Sequence, residues 1–250
     1  MGSFSDSFQS LLPIIEDRIK NLPVKGFIAS SKFEDIIFPL GSDTKVLGTV
    51  FELLSRKEVY EVANKEKLLI KEASRQNFYP DFTIMRSETD LEKIALDIKT
   101  TYITKRNQKF KFTLGSYTSF LRNPTKNIEY NYKEYKEHWV LGFVYQRDTS
   151  KISASHIWHP YEKRERIKPA YSNVDLFFRQ KWEIASDSAG SGNTANIGSI
   201  YGEISDFKNK LPLFKSEKEF EAYWRSYKRT ALERETNYRN IKEFRQKYDY

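Results

Sequence analysis

Apolar residues recur every three to four positions at the start of the chain. Phe8, Leu11, Leu12, Ile15 and Ile19 fall on one side of a helix over residues 6–21, with Pro13 as a kink or a late start. The pattern then shortens: Gly26-Phe27-Ile28-Ala29 and Ile36-Ile37-Phe38-Pro39 read as two short strands. Ser42 or Asp43 caps a helix carrying Val46, Val50, Leu53 and Leu54, and a further helix is expected over 57–66. Tyr79–Ile84 and Ile94–Tyr102 are strand-like, and the polar run Arg86-Ser87-Glu88-Thr89-Asp90 between them predicts a hairpin. Phe110–Gly115 is followed by a helix or turn over Tyr117–Phe120, and His138–Tyr145 is an apolar run suited to a buried strand. Asp175–Phe178 and Trp182–Ala185 are also expected as strands. Ser216 and Glu219 have capping-box spacing and open a helix with Phe220, Tyr223, Trp224 and Tyr227 along one side. A charged helix is expected near 231–247. Helices at both ends and strands between them predict an α/β fold with a mixed central β-sheet flanked by helices. No repeat or long linker divides the chain, so residues 1–250 read as a single domain.

Composition narrows the function. Apolar residues make up 39% and aromatics 15%, enough for a packed core. Lys and Arg exceed Asp and Glu by 42 − 34 = 8, which favours a polyanionic partner, nucleic acid rather than membrane, although an ordinary basic protein shares the same balance. The absence of cysteine excludes disulfides and zinc–thiolate centres and fits a cytoplasmic protein. No apolar stretch approaches the roughly 20 residues that span a bilayer, and the N-terminus lacks a signal-peptide pattern.

The chemistry concentrates on the expected hairpin. In Asp97-Ile98-Lys99, strand alternation puts Asp97 and Lys99 on one face and Leu96 and Ile98 on the other. Pairing with Pro80-Asp81 brings the two carboxylates together, a donor pair suited to a hard cation such as Mg²⁺. Such an ion lowers the pKa of bound water and balances charge on a phosphate, and Lys99 is placed to orient that water or neutralise an oxyanion. An Asp–Lys ion pair on an exposed strand gives the same pattern without chemistry. His156 and His159, three apart and followed by Pro160, lack an evident third ligand, so no metal is expected there.

Two loops suit nucleic acid. Ala189–Ser199 contains Gly190, Ser191, Gly192, Asn193, Thr194 and Asn196; glycines permit close approach, Asn193 suits an adenine edge, and Thr194 a base or a thymine methyl. Neither the P-loop nor the dinucleotide-binding pattern is present, and a plain surface loop has the same composition. In the turn before Asp81, Gln76 and Asn77 suit the minor groove and Arg75 a phosphate; a solvated turn is the alternative.

Together these segments resemble the EcoRV kind of type II restriction endonuclease, within the PD-(D/E)xK nuclease superfamily. The matching stretches are Pro39–Leu47, Tyr79–Thr83, Asp97–Tyr102, Lys111–Gly115, Tyr117–Phe120, Lys126–Ile128, Ala189–Thr194, Asn196–Ile200, Tyr223–Arg225 and Tyr227. The resemblance implies a restriction-endonuclease-like fold and a homodimer that clamps double-stranded DNA and cuts both strands. It implies a dimerisation subdomain near 24–40 and part of 148–172. Asp81, Asp97, Glu52 and Ile98 would form the metal set for Mg²⁺, with Mn²⁺ as a substitute, and Lys99 would assist the attacking water. Gly190–Asn196 would read the major groove and Gln76-Asn77 the minor groove, while Thr44, Lys45, Thr101, Thr113, Ser119 and Lys126 would contact the backbone or nearby bases. The implied site is GATATC, cut centrally to blunt ends, with a cognate methyltransferase in the same cell but no direct contact to it. Arg75, Ala195 and Ser116 stand where the relative has Gln, Thr and Gly, and residues 148–172 match poorly. Alternatives are a structure-specific repair or recombination nuclease, a non-catalytic nucleic-acid-binding protein and a nucleotide-binding enzyme.

Overall fold

The structure, a computed structural model, describes residues 3–147, 159–190 and 195–250. Helix α1 (Phe4–Lys20) begins with a reciprocal cap: Ser3 Oγ accepts the Asp6 N–H, and the Asp6 carboxylate accepts the Ser3 N–H. Phe8, Leu12, Ile15 and Ile19 are buried as the spacing predicts. Pro13 lies inside the helix on its exposed side and does not end it. Burial of the opposite face outweighs the single backbone bond that proline removes.

Strands β1 (Gly26–Ser30) and β2 (Asp35–Pro39) form the expected hairpin, and α2 (Thr44–Lys65) follows. Asp43 is its cap, with Oδ1 accepting the Lys45 and Val46 N–H groups at 2.8 and 3.2 Å. The two helices expected over 43–66 are one. Its buried stripe is shifted from the expected one: Leu47, Phe51, Ser55, Glu58, Val59 and Val62 face inward with Val50 and Leu54 packed beside them, whereas Val46 and Leu53 are 40% and 52% exposed. Both stripes have helical period, and contact with the sheet selects between them: the Phe51 and Phe143 rings stack with centroids 5.0 Å apart.

Strands β3 (Leu69–Glu72), β4 (Phe82–Met85), β5 (Lys93–Ile103), β6 (Thr113–Ser116), β7 (Tyr135–Arg147), β8 (His159–Pro160) and β9 (Tyr171–Gln180) come next. The central sheet has the order β3-β4-β5-β7-β9, with β5 and β7 parallel and the other neighbours antiparallel. Between β6 and β7, Tyr117–Leu121 forms one wide helical turn, with Ser119 in a non-helical conformation. β8 adds to β2, making a separate three-stranded sheet β1-β2-β8.

After β9 the expected strand over 182–185 is instead a helical turn, α3 (Lys181–Ile184), leading into β10 (Ala185–Ala189). Gln180 and Glu183 cap it reciprocally, and that local bonding overrides the β-type side chains Trp182 and Ile184. β11 (Asn196–Ser199) joins β10 and β6 in a third sheet of order β10-β11-β6. Helices α4 (Ile204–Asn209) and α5 (Glu217–Ser226) follow, and α5 buries Phe220, Tyr223 and Trp224 as expected. The single helix expected near 231–247 is two, α6 (Ala231–Glu235) and α7 (Ile241–Tyr248). Tyr238 lies between them and packs on Tyr223 and Phe244, with centroids 5.0 Å away in each case.

The sheet separates two cores. Leu96, Ile98, Leu141 and Phe143 face α1 and α2, and Ala95, Val140 and Val144 face the aromatic C-terminal half. Asp97 and Lys99 belong to the second face by strand alternation.

Candidate active site

β4 and β5 pair as the sequence predicts, with Phe82 opposite Leu96, so Asp81 lies beside the Asp97-Ile98-Lys99 segment. Asp81 Oδ2 accepts the Ile98 backbone N–H at 2.6 Å, which ties the carboxylate to its neighbouring strand. Asp97 is 5% exposed, and its Oδ2 accepts from Lys99 Nζ at 2.6 Å. The apolar surroundings that form around Tyr79, Phe120 and Val140 keep water from screening these charges.

The electrostatics follow from that burial. Desolvation pushes the Asp81 carboxyl up to about 7, and the Asp97 charge beside it adds to the rise. Burial works on Asp97 in the same direction, but Lys99 and Lys181 outweigh it and hold that carboxyl below its ordinary value. Lys99 is held above its ordinary value: burial opposes its charge, while Asp97, Asp81 and, more weakly, Glu52 favour it. Asp81 therefore ionises only at a cost, because burial and the Asp97 charge both oppose it, and this crowded pair of oxygen donors fits a hard divalent cation. Glu52 lies on α2, one turn beyond Gly48. A Cβ on Gly48 would come 3.4 Å from Thr100 Oγ1, so this part of α2 lies against the opposite face of β5, from which the Glu52 charge still reaches Lys99.

Lys181 is a component that the sequence reading missed. Its Nζ lies 4.0 Å from Asp97 Oδ2 and 3.7 Å from the centroid of the Tyr79 ring. Burial lowers its ammonium to about 7. It stands about eighty residues from Asp97 in a segment that reads as a strand, and no local spacing marks it.

A second group with metal-ligand chemistry lies behind this centre. Ligand atoms of His138, Glu217 and Glu221 all fall within 4.8 Å of one another. His138 Nδ1 shares a hydrogen bond with Tyr79 Oη at 2.8 Å, and burial keeps the ring neutral. Glu221 is paired with Arg225 at 3.0 Å, so part of this group's charge is balanced without a cation.

The other predicted residues fall in three places. Thr44 and Lys45 are exposed on the first turn of α2, and Thr101 is half-buried on β5. Arg75, Gln76 and Asn77 form an exposed turn closed by the Phe78 N–H donating to the Arg75 carbonyl at 2.9 Å. Thr113 is half-buried on β6, and Ser119 is buried and donates to the Lys126 carbonyl at 2.6 Å, while Lys126 is exposed. Gly190 and Asn196 close the end of the β10–β11 connection, where the Gly190 N–H donates to the Asn196 carbonyl at 2.8 Å. Ser191, Gly192, Asn193 and Thr194 lie outside the described residues, as do His156 and much of 148–172. Nearby, Arg122, Lys228, Arg229 and Arg234 line a cationic concavity that the sequence reading also missed. It adjoins Tyr117, whose N–H donates to the Ala195 carbonyl at 3.1 Å.

A mixed sheet with a buried Asp–Asp–Lys group where two strands meet defines a nuclease-like α/β protein. Residues 19–249 match the family model described as restriction endonuclease EcoRV, and the chain belongs to that family of type II site-specific deoxyribonucleases. It is 47% identical to the type II restriction enzyme EcoRV of Escherichia coli over 235 residues, covering 94% of each chain. The solved NlaIV restriction endonuclease aligns over 98% of this chain and 89% of its own, with 13% identity and a TM-score of 0.46.

Proposed function

We propose that this enzyme hydrolyses double-stranded DNA at GATATC in a Mg²⁺-dependent reaction, cutting centrally to leave blunt ends, with Asp81, Asp97 and Lys99 as its reactive centre. The observation that carries this reading is the meeting of Asp81 and Asp97 across β4 and β5, with Lys99 on the Asp97 carboxylate. Asp81 and Asp97, with Glu52 and Ile98 near them, would hold the divalent cation, Mn²⁺ substituting for Mg²⁺, and that cation supplies a lowered water pKa and charge neutralisation at the phosphate. Lys99 orients the attacking water and balances the charge that grows on the phosphoryl oxygens during in-line displacement. The Ile98 N–H fixes the Asp81 carboxylate, and the apolar ring around Tyr79 strengthens each of these interactions by excluding solvent.

The 47% identity to EcoRV supports GATATC, as does retention of Gly190, Gly192, Asn193 and Thr194. In this reading Asn193 and Thr194 discriminate bases, and Gln76 and Asn77 enter the minor groove. Arg75, Thr44, Lys45, Thr101, Thr113, Ser119, Lys126 and Asn196 position the duplex. The concavity of Arg122, Arg229 and Arg234 adds a phosphate-binding surface beside the reading loop. Two subunits meet through the β1-β2-β8 sheet, which exposes Phe27 and Ile28. Digestion of a plasmid of known sequence with Mg²⁺, followed by mapping of the ends, tests the whole reading. Blunt cuts at the centre of every GATATC are expected. Cuts elsewhere would overturn the site, and cleavage undiminished in EDTA would overturn the metal.

A further inference from the structure

Lys181 is buried where a lysine is costly. Its side chain is 3% exposed, and its Nζ makes no hydrogen bond. Among the described residues, the other buried side-chain atoms without a partner are Arg56 Nε, Arg147 Nε and Trp224 Nε1. Both arginines place another nitrogen elsewhere: Arg56 Nη2 is 2.7 Å from Glu72, and Arg147 Nη2 reaches Ser42. Lys181 has no second nitrogen, so its whole donor capacity is idle. It projects from the capped turn α3 over the Tyr79 ring, with Phe120 5.1 Å away, and comes to rest 4.0 Å from Asp97 Oδ2.

That oxygen is already occupied. Lys99 bonds it at 2.6 Å, and Lys99 is the more accessible of the two lysines, 23% exposed. To act on a phosphate, Lys99 must turn from Asp97, leaving the buried Oδ2 without the ammonium that bonds it, a loss that a cation shared with Asp81 offsets only in part. A charged hydrogen bond forms at about 2.7–2.9 Å, so Lys181 needs to close only about 1 Å to replace it.

We propose that Lys181 is a positioning residue that acts as the reserve counter-ion of Asp97, taking over its Oδ2 when Lys99 turns toward the scissile phosphate. This rests on the active-site assignment above. Lys181 touches no reacting atom; it acts by freeing Lys99. An idle ammonium beside an occupied carboxylate oxygen follows directly from this role, since the two lysines use that oxygen in turn.

The test compares Lys181→Met, Lys99→Met and the double variant in single-turnover cleavage of a plasmid site mapped for the unaltered enzyme, together with duplex affinity in EDTA and thermal melting. Lys181→Met is expected to slow cleavage about 10- to 100-fold while duplex affinity in EDTA stays within about twofold. Because Lys181 works through Lys99, the double variant should be no slower than Lys99→Met alone. A chemical arm separates charge from packing. The chain has no cysteine, so Lys181→Cys, unfolded, alkylated with 2-bromoethylamine and refolded, restores an ammonium at that one position. Recovery by aminoethylation but not by carboxamidomethylation is expected. Equal recovery with both reagents, additive losses in the double variant, or a full-rate Lys181→Met beside a slow Lys99→Met each overturn the counter-ion role and leave the active-site assignment standing. Full-rate cleavage by Lys99→Met would instead sink the assignment, and this role with it.

Discussion

Asp81 and Asp97 bear opposite costs within one small volume. Asp97 has two lysines near its carboxylate, whereas Asp81 has one backbone N–H and a like-charged neighbour. Replacing Asp81 by Asn removes the repulsion and keeps an oxygen for the Ile98 N–H. The expected outcome is a metal-free protein that melts no lower than the parent, and higher if the repulsion dominates, yet fails to cleave DNA. Melting curves beside a plasmid digest check it; a fall in melting temperature would contradict the repulsion. Glu219, on α5, shows the reverse arrangement. It is 1% exposed, accepts from Arg245 Nε at 2.6 Å and Nη2 at 2.9 Å, and also takes the Lys215 N–H. Burial would raise its pKa, but Arg245 and the Lys215 N–H hold it below its ordinary value. A depressed carboxylate stabilises the fold above its unfolded pKa and loses that contribution as pH falls through its folded pKa. Glu219→Gln should therefore lower stability by about 2–3 kcal/mol near neutrality. The gap to the parent should narrow below about pH 4.5. Urea melts across pH measure this, and a gap that stays constant into acid would contradict it.

The elements owe their positions to pairing and packing as much as to propensity. The β4–β5 hairpin was legible because a polar run separates two strand patterns, and it alone brings Asp81 to Asp97. The expected break in α2 and the expected continuity over 231–247 were both wrong: charge and periodicity mark helical character, but they do not locate the residues that tertiary contacts bury, such as Tyr238 between Tyr223 and Phe244. Gly142, opposite Lys99 on β7, shows how tightly the sheet is filled. A Cβ there would lie 2.1 Å from both Cε1 and Cζ of the buried Phe177 ring. Gly142→Ala is expected to destabilise the protein by about 1–3 kcal/mol through overpacking. A shifted urea midpoint with unchanged slope would report it, and an unshifted midpoint would mean that the ring moves freely.

At the scale of the molecule, an excess of eight positive charges is gathered partly near Tyr117 and the end of the β10–β11 connection, where Arg122, Arg229 and Arg234 line one concavity. Arg229→Ala should weaken binding to any duplex about equally and reduce the log–log salt slope by about 1, as expected for one phosphate contact. Titration over several salt concentrations distinguishes this from a sequence-reading role, which would change the preference between sites instead. The sequence by itself determined the class of fold, the nuclease resemblance and the Asp81–Asp97–Lys99 group, because these depend on short-range alternation and on one hairpin whose turn is local. It also determined the sign of the charge that meets DNA. Only the tertiary structure decided which stripe of α2 is buried, where the arginines from separate elements converge, and that Lys181 stands behind Asp97. Those are contacts between segments far apart in the chain, set by which surfaces pack together, and no local period encodes them.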